Sequence, residues 1–184
     1  MLLAIHYAIV QKTVKLEETG MALRTIREYG DNALASRCKE VKEITPRIKE
    51  LVQDMIDTMY EANGVGLAAP QVGILKRVFV IDVSPEGDSP IVFINPEILE
   101  TSGEQTGYEG CLSLPGKSGI VTRPNYVKAK AINLEGEEFI IEGEELLARA
   151  ILHENDHLDG HMYVEKVEGE LVNNEDLAAE NEDA

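Results

Sequence analysis

The sequence predicts an α+β fold: a largely antiparallel sheet with a long N-terminal helix and a central, metal-binding helix carrying His153-Glu154-Asn155-Asp156-His157. Three observations predict it. One stretch of helical periodicity opens the globular part, short β-like runs separated by turn residues fill the middle, and a second helical stretch follows them. Helices segregated from a block of strands indicate α+β rather than alternating α/β.

The first helix is expected over residues 46–62. Thr45 is a good N-cap, Pro46 suits the first helical position, and Gly64 lies just past the end. Ile48, Leu51, Val52, Met55, Ile56 and Met59 recur at helical spacing and form one apolar stripe, which core packing explains. Strands are expected at 77–83 and 91–94, then at 126–134 and 137–142, the last two flanking Glu135-Gly136 as a hairpin turn. The second helix is expected over 144–158, with Leu146, Leu147, Ala150 and Ile151 facing inward and Gly160 near its stop.

At 184 residues and 43% hydrophobic content, the chain has the size of one domain with a single sizeable core. Its formal charge of −17 grows denser towards the end, where apolar residues thin out. The expected organisation is an N-terminal extension at 1–20, a domain at 21–166 and a fraying acidic tail at 167–184. Met21, where the globular pattern begins, is the expected biological start, and a purine-rich translational signal encoded at Glu17-Glu18 would account for an over-long reading frame. Such acidity repels phosphate backbones and argues against broad nucleic-acid binding; a protein or small-molecule partner fits better. Only two cysteines, Cys38 and Cys111, argue against a disulfide scaffold and for a reducing, cytoplasmic compartment. No apolar run approaches the roughly 20 residues that cross a bilayer, and the first residues lack the basic segment of a signal peptide.

Chemistry concentrates in His153-Glu154-Asn155-Asp156-His157. Residues four apart share a helix face, so both imidazoles can reach one ion, and Glu154 beside them can take a proton from a water there and pass it on. A catalytic site of this kind needs a third protein ligand. Three completions are considered. The metzincin pattern would need a histidine where Tyr163 stands, although Gly160 matches, and so fails. Glu175 would complete a thermolysin-like set but sits in a thinly apolar acidic stretch. Cys111, in Glu109-Gly110-Cys111-Leu112-Ser113-Leu114-Pro115, offers a thiolate, against the plainer role of a small buried residue. Cys38 is assigned that plainer role.

The segments EGCLS (Glu109 to Ser113) and HENDH (His153 to His157) resemble two of the three signature motifs of peptide deformylases. Gly64-Val65-Gly66-Leu67-Ala68-Ala69-Pro70-Gln71 is similar to the third, and the three stand in the family's order. The resemblance covers most of Met21 to Tyr163.

The resemblance implies a hydrolase that removes the N-formyl group from the initiator methionine of new polypeptides and releases formate. It implies Cys111, His153 and His157 as ligands of one divalent transition metal, Fe2+ natively, with Zn2+, Ni2+ or Co2+ accepted. Glu154 is then the acid/base, and Gln71 and the backbone N–H of Leu112 are the oxyanion donors. The methionine pocket is implied at Gly64, Val65, Gly66, Leu112, Arg149, Ala150 and His153. Arg149 stands where many relatives carry an apolar residue; its stem is expected to line the pocket while its charge reaches water. Ser118 stands where some relatives carry a substrate-facing arginine. Glu109 and Arg123 are expected to pair as structural support. Formyl-methionyl nascent chains are the implied partners, with the ribosome as their source, although the acidic C-terminus offers no basic segment to dock on ribosomal RNA. Two rival readings are another H-E-x-x-H metal amidase or peptidase and a non-catalytic ribosome-associated relative; no substitution among Gln71, Cys111, His153, Glu154 and His157 favours the latter.

Overall fold

A computed structural model describes residues 22–177; the readings of residues 1–20, of Met21 as start and of the last part of the tail lie outside them. Helix α1 spans Pro46–Glu61. Thr45 has the extended backbone of an N-cap, but its side chain makes no capping hydrogen bond. The start therefore rests on Pro46, whose fixed φ suits the first turn. Leu51, Val52, Met55 and Met59 are buried as the stripe predicts, while Ile48 and Ile56 are half-buried beside them.

Five antiparallel strands form the main sheet: β1 (Gly66–Ala68), β2 (Val78–Ile81), β3 (Ile91–Ser102), β6 (Tyr126–Ile132) and β7 (Glu138–Glu144), in that spatial order. The alternation of β2 shows why its residues are continuously apolar. Val78 and Val80 join the α1 cluster, and Phe79 and Ile81 join a second cluster on the opposite face. Strand β3 is longer than its expected 91–94. It continues through Pro96 by a register shift between Ile94 and Glu97, with Asn95 in the left-handed region at φ 50°. A proline in a strand demands such an irregularity, which hides the continuation from period-2 reading. The β6–β7 hairpin turns where expected, with Gly136 at φ 84°.

Helix α2 spans Glu145–Asp159 and stops at Gly160, left-handed at φ 84°. Ala148, Ala150, Ile151 and Leu158 pack on Phe79, Ile81, Phe93 and Ala129 of the main sheet. Leu147 packs against this cluster, but Leu146, expected inward, is 52% exposed; Ala148 takes the inward place.

A second sheet of three strands, ordered β4 (Gln105–Cys111), β5 (Leu114–Arg123) and β8 (Val167–Asn173), was not anticipated. Strands β4 and β5 contain Gly107, Gly110, Gly116 and Gly119 and Pro115, which blur the apolar alternation that marks a strand. The expected fraying at residue 167 is corrected: 167–173 forms a strand paired antiparallel with β5. What local composition lacks in apolar content, backbone pairing with β5 supplies. The docking is close, because a Cβ on Gly119 would lie 2.6 Å from Val167. Gly119→Ala is expected to force β8 off β5 and lower unfolding free energy by about 1–3 kcal/mol, read as a shifted midpoint in urea titration.

Candidate active site and metal centre

Strand β4 ends at Cys111, while α2 presents His153 and His157 one turn apart. The Cys111 Sγ lies 3.3 Å from His157 Nε2, which lies 3.2 Å from His153 Nε2. All three candidate ligand atoms fall within 4.8 Å of one another, and no other such group of histidine, cysteine and acidic residues occurs among the described residues. Glu175, the rival third ligand, is exposed and outside the group.

The proton on His153 is placed by Glu109. Its carboxylate accepts from His153 Nδ1 at 2.6 Å, which makes Nε2 the ring nitrogen turned towards Cys111 and His157. Glu109 is held in turn by Arg123, whose Nε and Nη2 donate to its two oxygens at 2.7 and 2.6 Å. Burial alone would raise the Glu109 carboxyl, but hydrogen bonds from Arg123 and His153 outweigh it and hold the group well below the usual carboxylate range. Arg123 also donates to Asp156 at 2.8 Å, giving a role to one variable residue of the helix motif. Glu109 and Arg123 are about 5% and 3% exposed, and removing one partner of so buried a pair typically costs about 3–5 kcal/mol.

Burial drives His157 well below its ordinary value, so its imidazole is neutral and free to ligate. His153 is also buried, but its contacts with Cys111 and Glu109 outweigh that and raise it to about 10. A cation bound among these atoms would displace that proton. His157 Nδ1 is buried without a hydrogen-bond partner.

Glu154 has the opposite environment to Glu109. It is buried, its Oε2 has no hydrogen-bond partner, and burial pushes its carboxyl up to about 7. Gly66 makes this placement possible, since a Cβ there would run into the Glu154 carboxylate. Gln71 is almost completely buried in the 3-10 turn Ala69–Val72. The Ala68 N–H donates to its Oε1 at 2.8 Å, which turns Nε2 towards Ser113 Oγ at 3.2 Å and Cys111 Sγ at 3.4 Å.

A cavity of about 690 Å³ opens onto these groups. Gly64, Val65, Gly66, Leu112, Arg149, Ala150 and His153 all line it, together with Gln71, Cys111 and Glu154. Gly64 makes room for Leu112, whose Cδ1 would stand 2.6 Å from a Cβ at that position. The Arg149 expectation needs correction: its Nη1 donates to Glu109 Oε2 at 2.8 Å and its side chain is only 11% exposed, so the charge is spent on Glu109 rather than on water. Ser118 is buried, its Oγ donating to Asn174 Oδ1 at 2.7 Å. Two neighbours escaped sequence reading. Ser113 lay inside a recognised motif without an assigned role, and Tyr163, weighed only as a failed ligand position, stacks on His153 with ring centroids 6.0 Å apart.

The donor set fits a late transition ion. Two nitrogens bound at about 2.0–2.1 Å to a tetrahedral ion stand about 3.3 Å apart, close to the 3.2 Å between the two imidazoles. One thiolate with two imidazoles is also the wrong chemistry for magnesium or calcium.

The model of the family described as polypeptide deformylase matches residues 23–172. The chain belongs to that family. It is 69% identical to a peptide deformylase of Agathobacter rectalis over 151 residues, covering 82% of this chain and 94% of the relative. Identity to a peptide deformylase of Clostridium botulinum is 63% over 146 residues, 79% and 97% of the two chains. The crystal structure of the Thermotoga maritima peptide deformylase superposes with a TM-score of 0.77 at 41% identity, covering 80% of this chain and 99% of the other. As a deformylase, the chain is an enzyme that removes the N-formyl group from nascent polypeptides, and both rival readings give way. Deformylases are metal-dependent hydrolases, and the Cys111, His153 and His157 group is where this one can hold an ion.

The two cysteines of the deformylase differ in a measurable way. Cys38 is buried, and burial pushes its thiol up to about 11, so it stays protonated at pH 8. In metal-stripped native protein at pH 8, a chromogenic thiol reagent is expected to titrate one cysteine, Cys111. Added zinc is expected to suppress that reaction, and denaturation to expose both thiols.

Proposed function

We propose that Cys111, His153 and His157 hold one divalent transition ion, Fe2+ in the native enzyme with Zn2+, Ni2+ and Co2+ able to replace it, and that Glu154 carries the protons of deformylation. The observation that supports this most directly is the unpartnered Glu154 Oε2, buried beside the sulfur and nitrogen cluster with its carboxyl raised to about 7. When bound, the ion supplies Lewis acidity, making a water nucleophilic at neutral pH and polarising the formyl oxygen.

Glu154 takes the proton released as water adds to the formyl carbon and delivers it to the departing amine nitrogen. A carboxyl raised towards neutrality can accept and return a proton without a large penalty in either direction. Gln71 Nε2, its amide locked by Ala68, and the N–H of Leu112 donate to the formyl oxygen as negative charge grows on it. The Gln71 amide is oriented before the substrate arrives, so little reorganisation of it is needed when the charge develops. The methionine side chain enters the cavity against Val65, Leu112, Ala150 and His153, with Gly64 and Gly66 permitting close approach of its backbone. Arg149 contributes its stem to that wall.

Formyl-methionyl chains emerging from the ribosome are the substrates, met in the cytoplasm. No helix among the described residues is long and apolar enough to cross a membrane. The acidic surface favours capture of the free peptide end over broad contact with RNA.

Deformylation of a formyl-Met peptide, measured by formate release, tests the roles. Glu154→Gln is expected to lower kcat by about 10²–10⁴ while metal content stays stoichiometric. Gln71→Ala is expected to cost about 10²–10³ in kcat, also with metal retained. Cys111→Ser is expected to lose the metal itself. Comparable turnover by Glu154→Gln and parent would exclude the proton-carrying role.

A further inference from the structure

We propose that Arg149 is a positioning residue: it holds the hairpin that bears Cys111 in register with the helix that bears His153 and His157. This rests on the metal-ligand reading above, but it concerns a group that touches none of the reacting atoms.

The two halves of the ligand set belong to different packing units. Helix α2 packs into the apolar cluster of Phe79, Ile81, Phe93 and Ala129, whereas the β4–β5 hairpin contributes only Leu112 of its turn, which packs against the separate α1 cluster. Close packing therefore fixes α2 to the main sheet but does not fix the β4–β5 hairpin to α2. That joint is polar. Arg149 crosses it from the helix side, with Nη1 donating to Glu109 Oε2 at 2.8 Å and to the Val121 carbonyl at 3.2 Å, and Nη2 donating to the Gln105 carbonyl at 3.4 Å. One guanidinium thus grips β4 at two points and β5 at a third. Arg123 crosses in the other direction, from β5 to Asp156 of α2.

Gly107 in β4 fits this arrangement, because a Cβ there would lie 3.7 Å from Arg149 Nη2, so the guanidinium lies directly over the strand. The planar fork of an arginine spreads its donors over separate nitrogens and so spans acceptors on both strands, whereas an ammonium carries its three donors on one compact nitrogen. Glu109 lies two residues before Cys111 and also orients His153. Loosening its grip therefore shifts a thiolate and an imidazole together. An apolar side chain at position 149 would fill the cavity wall equally well but leave the hairpin held by fewer bonds.

The test measures metal loss separately from substrate binding. Zinc-loaded parent, Arg149→Leu and Arg149→Lys enzymes are mixed with excess chromophoric chelator, and the rate of zinc transfer is followed well below each melting temperature. Arg149→Leu is expected to lose zinc about tenfold faster than parent, and Arg149→Lys about threefold faster. The cobalt-loaded Leu variant is expected to show a shifted thiolate-to-metal absorption band. In a Glu109→Gln background, the effect of Arg149→Leu is expected to shrink, since the two act through one contact. Parental zinc transfer and an unshifted cobalt band would overturn the proposal and make Arg149 a substrate wall alone. If Arg149→Leu does not fold, a parental rate in Arg149→Lys overturns it equally. Failure of the ligand reading is distinguishable, because the parent itself would then bind no stoichiometric zinc and Cys111→Ser would behave like it.

Discussion

Glu109 stands at the point where the two sheets meet helix α2, and its buried carboxylate accepts from His153, Arg123 and Arg149. A negative charge so far from water is tolerable only if paired and hydrogen-bonded on both oxygens. Satisfying it brings together residues of β4, β5 and α2, which no apolar cluster joins. The same carboxylate places the proton of His153 on Nδ1 and turns Nε2 towards the neighbouring donors. Fold geometry and ligand chemistry thus depend on one group.

The site contains two buried glutamates whose carboxyl groups are shifted in opposite directions, and environment alone separates them. Glu109 faces guanidinium and imidazole donors and stays ionised; Glu154 faces the glycine backbone at Gly66 and has one oxygen without a partner. Pushing two carboxyl groups apart in this way makes one a fixed anchor and leaves the other near neutrality, as the proposed proton carrier requires. Small residues are needed for both the pocket and the carrier. Gly64 admits Leu112 and Gly66 admits Glu154, so a motif that reads as a flexible loop is fixed by side chains arriving from the β4–β5 turn and α2.

Much of this was legible from the chain alone where the determining physics is local. The four-residue spacing of His153 and His157, the Pro46 start of α1, the Gly160 stop of α2 and the turn at Gly136 are short-range properties, and the structure places these features within a residue or two of their expected positions. The glycine-rich strands β4 and β5 were not legible as strands, because their stability comes from pairing with each other and with β8 rather than from apolar periodicity. The strand at 167–173 was mistaken for loose tail for the same reason. Leu146 was misplaced by a helical wheel that cannot tell the sheet-facing side from the cavity mouth.

The sequence by itself determined the chemistry: which donors exist, that two of them share a helix face, and, through three ordered motifs, which family the chain belongs to. Only the tertiary structure decided how Cys111 meets the histidines, why the Glu154 carboxyl is raised while that of Glu109 is lowered, and that Arg149 is tied to Glu109 instead of reaching water. The physical reason is range. Backbone propensity and helix spacing act over a few residues, whereas burial and the pairing of charges 40 to 44 positions apart exist only once the chain has closed on itself.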